Sequence, residues 1–298
     1  MPSNILPSLK PLLLSAKKLT LPNDITPLDL FTPLASSPWA IWLDSGAGKH
    51  VNACFDILVW HPEVTLCTHG KTTSIHHVNS NKTHNSEEDP LSLLETVQQQ
   101  ILTKTDLSKL TPLLQDLPFS GGALGYFAYD LGRRFEKLPI QAEQDINLPE
   151  MAVGIYSQAV IFDHKSQQFF LVCPESKRSS IEGFLINLIS LNSNKRPSSL
   201  SFSLTSSWQS NMDKASYVEK FEQVQQYLLS GDCYQINLAQ RFSAQYQGNE
   251  FQAYCALRTE NEAPFSAFMR LEHSAILSVS PERFLQCKQN KVQSKPIK

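Results

Sequence analysis

The sequence has 298 residues, of which 41% are apolar and 18% charged, with a formal net charge of −2. That length and apolar content exclude a disordered chain and exceed what one compact domain usually needs. The near-neutral balance gives no basic excess for nucleic acid or an anionic membrane.

The N-terminal stretch "MPSNILPSLKPLLLSAKKL" has one apolar run, Leu12–Leu14, broken by prolines and lysines. It is too short for a signal peptide, and no stretch approaches the ~20 apolar residues of a membrane helix. The six cysteines, Cys54, Cys67, Cys173, Cys233, Cys255 and Cys287, form no C-x-x-C pair and no zinc spacing. Scattered in this way they read as small buried hydrophobes in a reducing cytosol, so a cytoplasmic protein is expected.

Short apolar runs bounded by Gly or Pro predict strands in "PWAIWLDSG", "FDILVW" and "VTLCTHG", between residues 38 and 70. The polar "SIHHVNSNKTHNSEEDP" reads as a loop or an edge. Its histidines, His76, His77 and His84, have no rigid metal spacing. Asp89 as N-cap and Pro90 at the first helical position open a helix whose face holds Leu91, Leu94, Val97 and Leu102.

The segment "FSGGALGYFAYDLGRRFE" sets glycines among aromatics, and Gly121-Gly122 suits a turn or a close backbone approach. The spacing does not fit a G-x-G-x-x-G dinucleotide loop. "MAVGIYSQAVIFDH" and "QQFFLVCP" read as a hairpin around Lys165-Ser166. A helix over Ile181–Leu191 then runs into Ser, Asn and Pro, the best linker composition in the chain.

The clearest helix follows, capped by Asn211 or Asp213, with Tyr217, Phe221, Val224 and Leu228 on one face and Gly231 as its stop. "CYQINLAQRFSAQY" alternates apolar and polar residues and predicts a strand with one wet face. "FQAYCALRTE" reads as a short helix. "PFSAFMRLE", "SAILSVS", "ERFLQCK" and "VQSKPI" read as four further strands. The expectation is an α+β chain rich in antiparallel sheet.

Three stretches in order, "SGDCYQINLAQRF", "SVSPERF" and "KPIK", carry a resemblance. With "PWAIWLDSG", "FSGGALGYFAYDLGRRFE", "LPEMAVGIY" and "TSSWQSNM", they are similar to the chorismate-utilising enzymes. The likeness is greatest to the aminodeoxychorismate synthase component I branch. It implies two facing β-sheets with outer helices, incomplete at the C-terminus. It divides the chain into an anthranilate synthase component I-like part over 1–195, a linker over 196–210 and the start of a chorismate-binding part over 211–298.

The resemblance also implies a reaction: replacement of the 4-hydroxyl of chorismate by an amino group, with ammonia from a glutaminase subunit and Mg2+ on a substrate carboxylate. In that scheme Glu282 of "SPERF" is the proton donor to the departing oxygen, which calls for a buried carboxyl. Lys298 of "PIK" is the nucleophile, which calls for a deprotonated amine. Related anthranilate synthases carry alanine there, so the lysine points to 4-amination. A hairpin turning at Gln289–Lys291 would set Glu282 and Lys298 on one face.

Some members of the family hold tryptophan. The matching positions are Ser45, Asn52, Ala53, Cys54 and Phe55, together with Pro264, Phe265 and Ser266. Phe55, Pro264 and Phe265 can wall an indole, and Ser45 and backbone groups can hold the ammonium and carboxylate. The family's chains continue past the lysine with the magnesium-binding glutamates, so no metal ligand is expected here and the chain alone is expected to be inactive. Competing readings are a non-catalytic fragment or pseudoenzyme that binds tryptophan or the glutaminase, and an anthranilate synthase component I-like enzyme.

Overall fold

The computed structural model describes residues 11–22, 24–46, 50, 53–102, 112–140, 144–193, 201–288 and 291–295. In chain order the elements are β1 (Leu14–Leu19), α1 (Pro27–Phe31), β2 (Ile41–Asp44), β3 (Phe55–Val59), β4 (Val64–His69), β5 (Thr72–His77), β6 (Lys82–Ser86), α2 (Pro90–Ile101), α3 (Pro112–Asp116), β7 (Gly122–Phe127), β8 (Met151–Tyr156), β9 (Ala159–Asp163), β10 (Gln168–Pro174) and α4 (Arg178–Ser193). Then come β11 (Ser203–Leu204), β12 (Gln209–Ser210), α5 (Lys214–Ser230), β13 (Phe242–Ser243), β14 (Tyr246–Gln247), α6 (Glu250–Asn261), β15 (Ser266–Arg270), β16 (Ala275–Ser278), β17 (Gln286–Lys288) and β18 (Lys291–Gln293). The chain falls into two compact units, Met1–Arg196 with Tyr254–Lys298, and Pro197–Ala253.

The first unit holds a seven-stranded sheet in the order β1-β10-β9-β3-β2-β15-β16 and a five-stranded sheet in the order β6-β5-β4-β8-β7. Neighbours in both are antiparallel, so the antiparallel α+β class expected from the sequence is the one observed. The side-chain period of two sorts each strand by face. Ile41, Val59 and Met269 of the larger sheet join Leu66, Ile75, Val153 and Ile155 of the smaller one in a single core. Helix α2, capped by Asp89 through Ser92 N–H at 2.7 Å, adds Leu93, Val97 and Ile101 to that core.

The other face of the larger sheet meets helices. Phe31 of α1 stacks near Trp42 and Phe268 at centroid distances of 5.7 and 5.9 Å, and Phe184 of α4 lies over Trp60. Two links, one buried and one half-buried, fasten this part of the fold. Tyr156 Oη donates to the carbonyl of Trp39 at 2.8 Å. Glu63 accepts hydrogen bonds from Ser157, Asn79 and Lys177.

The polar stretch 74–90, expected as a loop or an edge, supplies the end of β5 and all of β6, an edge strand with four exposed residues. Residues 203–210, expected as linker, contain β11 and β12, which pair with β14 and β13. The alternating run 233–246 forms strand only at β13 and β14. A strand holds its shape through a ladder, and no described neighbour offers one to residues 233–241. Residues 254–298 cluster with the first unit, where β15 pairs with β2.

The hairpin near residue 290 does form, with Lys288 opposite Lys291 and Gln286 opposite Gln293. A pairing that set Glu282 against Lys298 would place Lys288 opposite Val292, so the observed register is tighter by one residue. The ladder ends at Gln286, short of Glu282. Lys298 lies outside the described residues.

A row of polar side chains crosses the helix-covered face. Ser266 stands opposite Asp44 in the β15–β2 ladder, and Asp56 of β3 receives the Ser45 N–H at 2.9 Å. Asp44 and Asp56 are 2% and 0% exposed, burial that carboxylates reach only when paired. Arg258 of α6 binds both oxygens of Asp44, Tyr254 Oη donates to it at 2.9 Å, and Gly46 N–H adds a further bond at 2.9 Å. His164 Nε2 meets Asp56 at 2.8 Å.

Burial opposes the Arg258 charge, yet the hydrogen bonds and charge of Asp44, with nearby Asp56, outweigh it and hold the guanidinium pKa above its usual value. Burial, and then the charge of Asp44, push the Tyr254 phenol far above its ordinary range, so it stays a donor.

Removing one partner of such a buried pair strands the other. Arg258→Met is expected to cost about 3 kcal/mol in urea unfolding, and adding Asp44→Asn to recover more than half of that. An Arg258→Met chain with an unchanged midpoint would show the pair to be idle. Glu63 supplies a pH test. Burial raises its pKa, but the bonds from Lys177 and Ser157, the Lys177 charge and Asn79 outweigh burial and leave it below the usual 4.5. Its contribution is therefore complete above that pH and fades as pH falls through the lower folded-state value. Wild type should exceed Glu63→Gln by about 1–2 kcal/mol at neutral pH, and the gap should close progressively below pH 4.5. A gap that persists unchanged at pH 3 (roughly an order of magnitude in acidity below the usual carboxylate value) would contradict this assignment.

Candidate functional site

The ends of three adjacent strands gather most of the residues singled out from the sequence. Ser45 follows β2 and is buried; its hydroxyl donates to the carbonyl of Phe55 at the start of β3. Ala53 is buried and donates its N–H to His50 O at 2.8 Å, while Cys54 is exposed and its carbonyl accepts His164 N–H at 3.0 Å. Phe55 is half-buried and its ring packs against the inter-sheet core. Asn52 lies outside the described residues.

The third strand end is β15. Pro264 is buried just before it, and Ser266 is 3% exposed with its hydroxyl donating to Ala263 O at 2.9 Å. The pairing of Ser266 with Asp44 sets the 264–266 turn beside Ser45. Ser45, Phe55 and Ser266 therefore come together across 221 positions of sequence, from 45 to 266. The local glycine is part of this. Gly46 has φ +62°, and a Cβ there would lie 2.7 Å from the Ala263 carbonyl oxygen, so a side chain at 46 would push the two turns apart.

Glu282 sits on the loop between β16 and β17 and is exposed. Its N–H donates to Ser280 Oγ at 3.3 Å, and the Ser280 hydroxyl donates to the Glu282 carbonyl at 3.1 Å. The loop is fastened to the strand-end cluster: Phe265 N–H donates to Ser280 O at 3.1 Å, and the Arg283 guanidinium lies 6.0 Å from the centre of the Phe265 ring. The structure thus joins the proton-donor candidate to the tryptophan candidates. Lys298 lies outside the described residues, and the described residues do not supply the burial that an acid role demands of Glu282.

Metal binding fares differently. Among the described residues no three His, Cys, Asp or Glu side chains come together in a way that could hold an ion. Asp44 and Asp56, the buried carboxylates nearest the cluster, are engaged by Arg258, Tyr254 and His164. The described residues do not fit a magnesium centre.

Sequence reasoning missed Asp44, Asp56, His164, Tyr254 and Arg258. A signal was present, because "IWLD" and "FDILV" each place an aspartate inside an apolar strand run, where it must find a partner. Asp56, His164 and Arg258 also edge an open cavity of about 750 Å³ with Phe162 and Phe169, and none of the tryptophan candidates lines it.

The comparisons bear on the whole chain. The family model for chorismate binding enzymes matches residues 39–298. Aminodeoxychorismate synthase component 1 of Escherichia coli (strain K12) is 49% identical over 271 residues, covering 90% of this chain and 56% of that protein. Its namesake in Klebsiella aerogenes is 47% identical over 268 residues, with the same coverage of 90% and 56%. Anthranilate synthase component 1 of Lactococcus lactis is 30% identical over 219 residues, covering 71% of this chain and 46% of that protein. The crystal structure of anthranilate synthase component I from Streptococcus pneumoniae TIGR4 superposes with a TM-score of 0.65 at 24% identity, over 82% of this chain and 54% of that one, which shows a shared fold.

The chain spans about half the length of the curated relatives it matches. No helix among the described residues is long and apolar enough to cross a membrane. With the family match running through both units and the strand-end cluster inside it, this chain belongs to the chorismate-binding enzyme family.

Proposed function

We propose that this chain acts as part of an aminodeoxychorismate synthase component I, which converts chorismate and ammonia to 4-amino-4-deoxychorismate. The observation that carries the reading is the gradient of identity. Three proteins of that name stand at 46–49% over 90% of the chain, a fourth from Streptomyces lividans at 27%, and anthranilate synthase components at 25–30%. Lys298 and the "SPERF" glutamate agree with it. An amine nucleophile at 298 suits displacement of a ring hydroxyl, and Glu282 suits protonation of the leaving oxygen.

The exposed Glu282 loop needs a cover before it can serve as an acid, and magnesium needs ligands that the described residues lack. Both requirements fall to the portion of the relatives that has no counterpart here. Catalysis by these 298 residues alone is therefore not expected, and the glutaminase that supplies ammonia and the cytoplasmic location belong to the same proposal. Magnesium, once bound, would neutralise a carboxylate of chorismate.

A second reading concerns tryptophan. Ser45, Pro264, Phe265 and Ser266 gather with the backbone of Phe55 at one end of the larger sheet, while the Phe55 ring faces the inter-sheet core. That composition suits an indole with a zwitterionic tail.

Two tests follow. Residues 1–298 joined to the remaining part of the E. coli component should make aminodeoxychorismate from chorismate, ammonia and magnesium, read by chromatography of the product. Glu282→Gln and Lys298→Ala should each lower turnover by about a hundredfold or more. Anthranilate as the product would replace this reading with the anthranilate synthase one. For the second reading, L-tryptophan should raise the melting temperature of the 298-residue chain, and Phe55→Ala should abolish most of that rise. Equal shifts with L-alanine would remove tryptophan from the account.

A further inference from the structure

The cavity edged by Asp56, His164 and Arg258 lies wholly within the first unit, and neither the strand-end cluster nor the Glu282 loop lines it. Its floor is a cross-strand row on the helix-covered face of the larger sheet. Leu19 stands opposite Phe169, Phe169 opposite Phe162, and Phe162 opposite Asp56. The first three are buried apolar residues, and the rings of Phe162 and Phe169 lie 4.6 Å apart. Leu21, Ile25 and Pro27, from the segment that enters α1, add a further apolar wall. The strand period of two that turns Asp56 to this face turns the Phe55 ring to the inter-sheet core, so the cavity and that ring occupy opposite faces of the sheet.

The hydrogen bonding of this row is incomplete at Asp56. Its Oδ1 accepts from Ser45 N–H at 2.9 Å and lies 2.8 Å from His164 Nε2, whereas its Oδ2 is buried and has no hydrogen-bond partner among the described residues. A buried carboxylate oxygen without a donor is unfavourable, and such groups are rare in folded proteins. We propose that the cavity binds a small primary ammonium compound with an apolar body, its N–H groups completing Asp56 Oδ2 and its body lying over Phe162 and Phe169. A carboxylate accepts and does not donate, so the completing group must be a donor. Arg258 is already held by Asp44, and the other formal charges around the cavity, Asp56 and Asp24 against Lys18, leave a negative excess that suits a cation. Aromatic faces beside a carboxylate attract an alkylammonium through its charge and its apolar stem together. The volume of about 750 Å³ falls within the range of small-molecule sites.

The experiment titrates the full 298-residue chain with phenethylammonium chloride, read by isothermal titration calorimetry and ligand-observed NMR. Saturable one-to-one binding is expected, with a Kd of roughly a millimolar or tighter. Hydrocinnamate, of similar size and opposite charge, should bind about tenfold more weakly or not at all. Asp56→Asn is nearly isosteric. Its carbonyl oxygen can keep the bonds from Ser45 and His164 while an N–H replaces Oδ2, so the chain should fold and bind the amine about tenfold more weakly. Ile25→Trp, which fills the cavity and leaves Asp56 in place, should produce the same loss, and it carries the test if circular dichroism shows Asp56→Asn to be unfolded. Saturating L-tryptophan should leave the affinity for the amine unchanged. Absence of amine binding, equal binding of hydrocinnamate, an affinity unchanged in either folded variant, or displacement by L-tryptophan would each overturn the assignment, the last by moving the amine to the strand-end cluster. None of these readouts needs chorismate or turnover, so failure here leaves the functional reading untouched, and the reverse holds as well.

Discussion

Two carboxylates sit side by side on a sheet face that is otherwise built from Trp42, Leu58 and Phe268. Buried charge of that kind is tolerable only when it is paired, and the pairing here is supplied from far along the chain. Arg258 and Tyr254 reach Asp44 from α6, and His164 reaches Asp56 from the turn after β9. Through these bonds α6 is seated on the sheet, and the Ser45 and Gly46 N–H groups are drawn to the two aspartates. The strand ends that carry the candidate site are thus held by these charged pairs together with the close packing of the two turns at Gly46.

The two units solve the problem of burial differently. The first closes two sheets over one apolar core and then covers the outer face of the larger sheet with α1, α4 and the aromatic rings around Trp42. The second has good local signals, with a sound N-cap, a glycine stop and short paired ribbons, but almost nothing buried. Local propensity alone leaves such a unit marginal, because ordering its backbone is offset mainly by burial. Within the first unit the strand-end cluster is assembled, whereas Glu282 lies exposed on its loop.

Legibility followed the range of the interactions. Helix α2 could be read from Asp89-Pro90 and α5 from the 213–231 interval, since caps and stops are local chemistry. The hairpin around Lys165-Ser166 was equally local. Strand β1 was not read as such and β6 only as a loop or an edge, because edges carry charge and polarity: Lys17 and Lys18 stand exposed on β1. The run 233–241 failed in the opposite sense, showing a strand period without a neighbouring ladder. Ser45, Phe55 and Ser266 were singled out through motif resemblance. Asp44 and Asp56 could have been found as acids inside apolar runs. Their partners could not, since Arg258 lies 214 positions away from Asp44 and nothing local announces the pairing.

The β2–β15 ladder has a consequence for the order of events during synthesis. Until residue 266 leaves the ribosome, β2 has β3 on one side and an open edge on the other. At ordinary translation speeds that interval lasts roughly ten to forty seconds. During it Asp44 also lacks Arg258 and Tyr254, so the open edge carries an uncompensated inward-pointing charge. Such a charge deters edge-to-edge association of nascent chains. The chain order of Tyr254, Arg258 and Ser266 places the partners of Asp44 ahead of the strand that occupies the edge of β2.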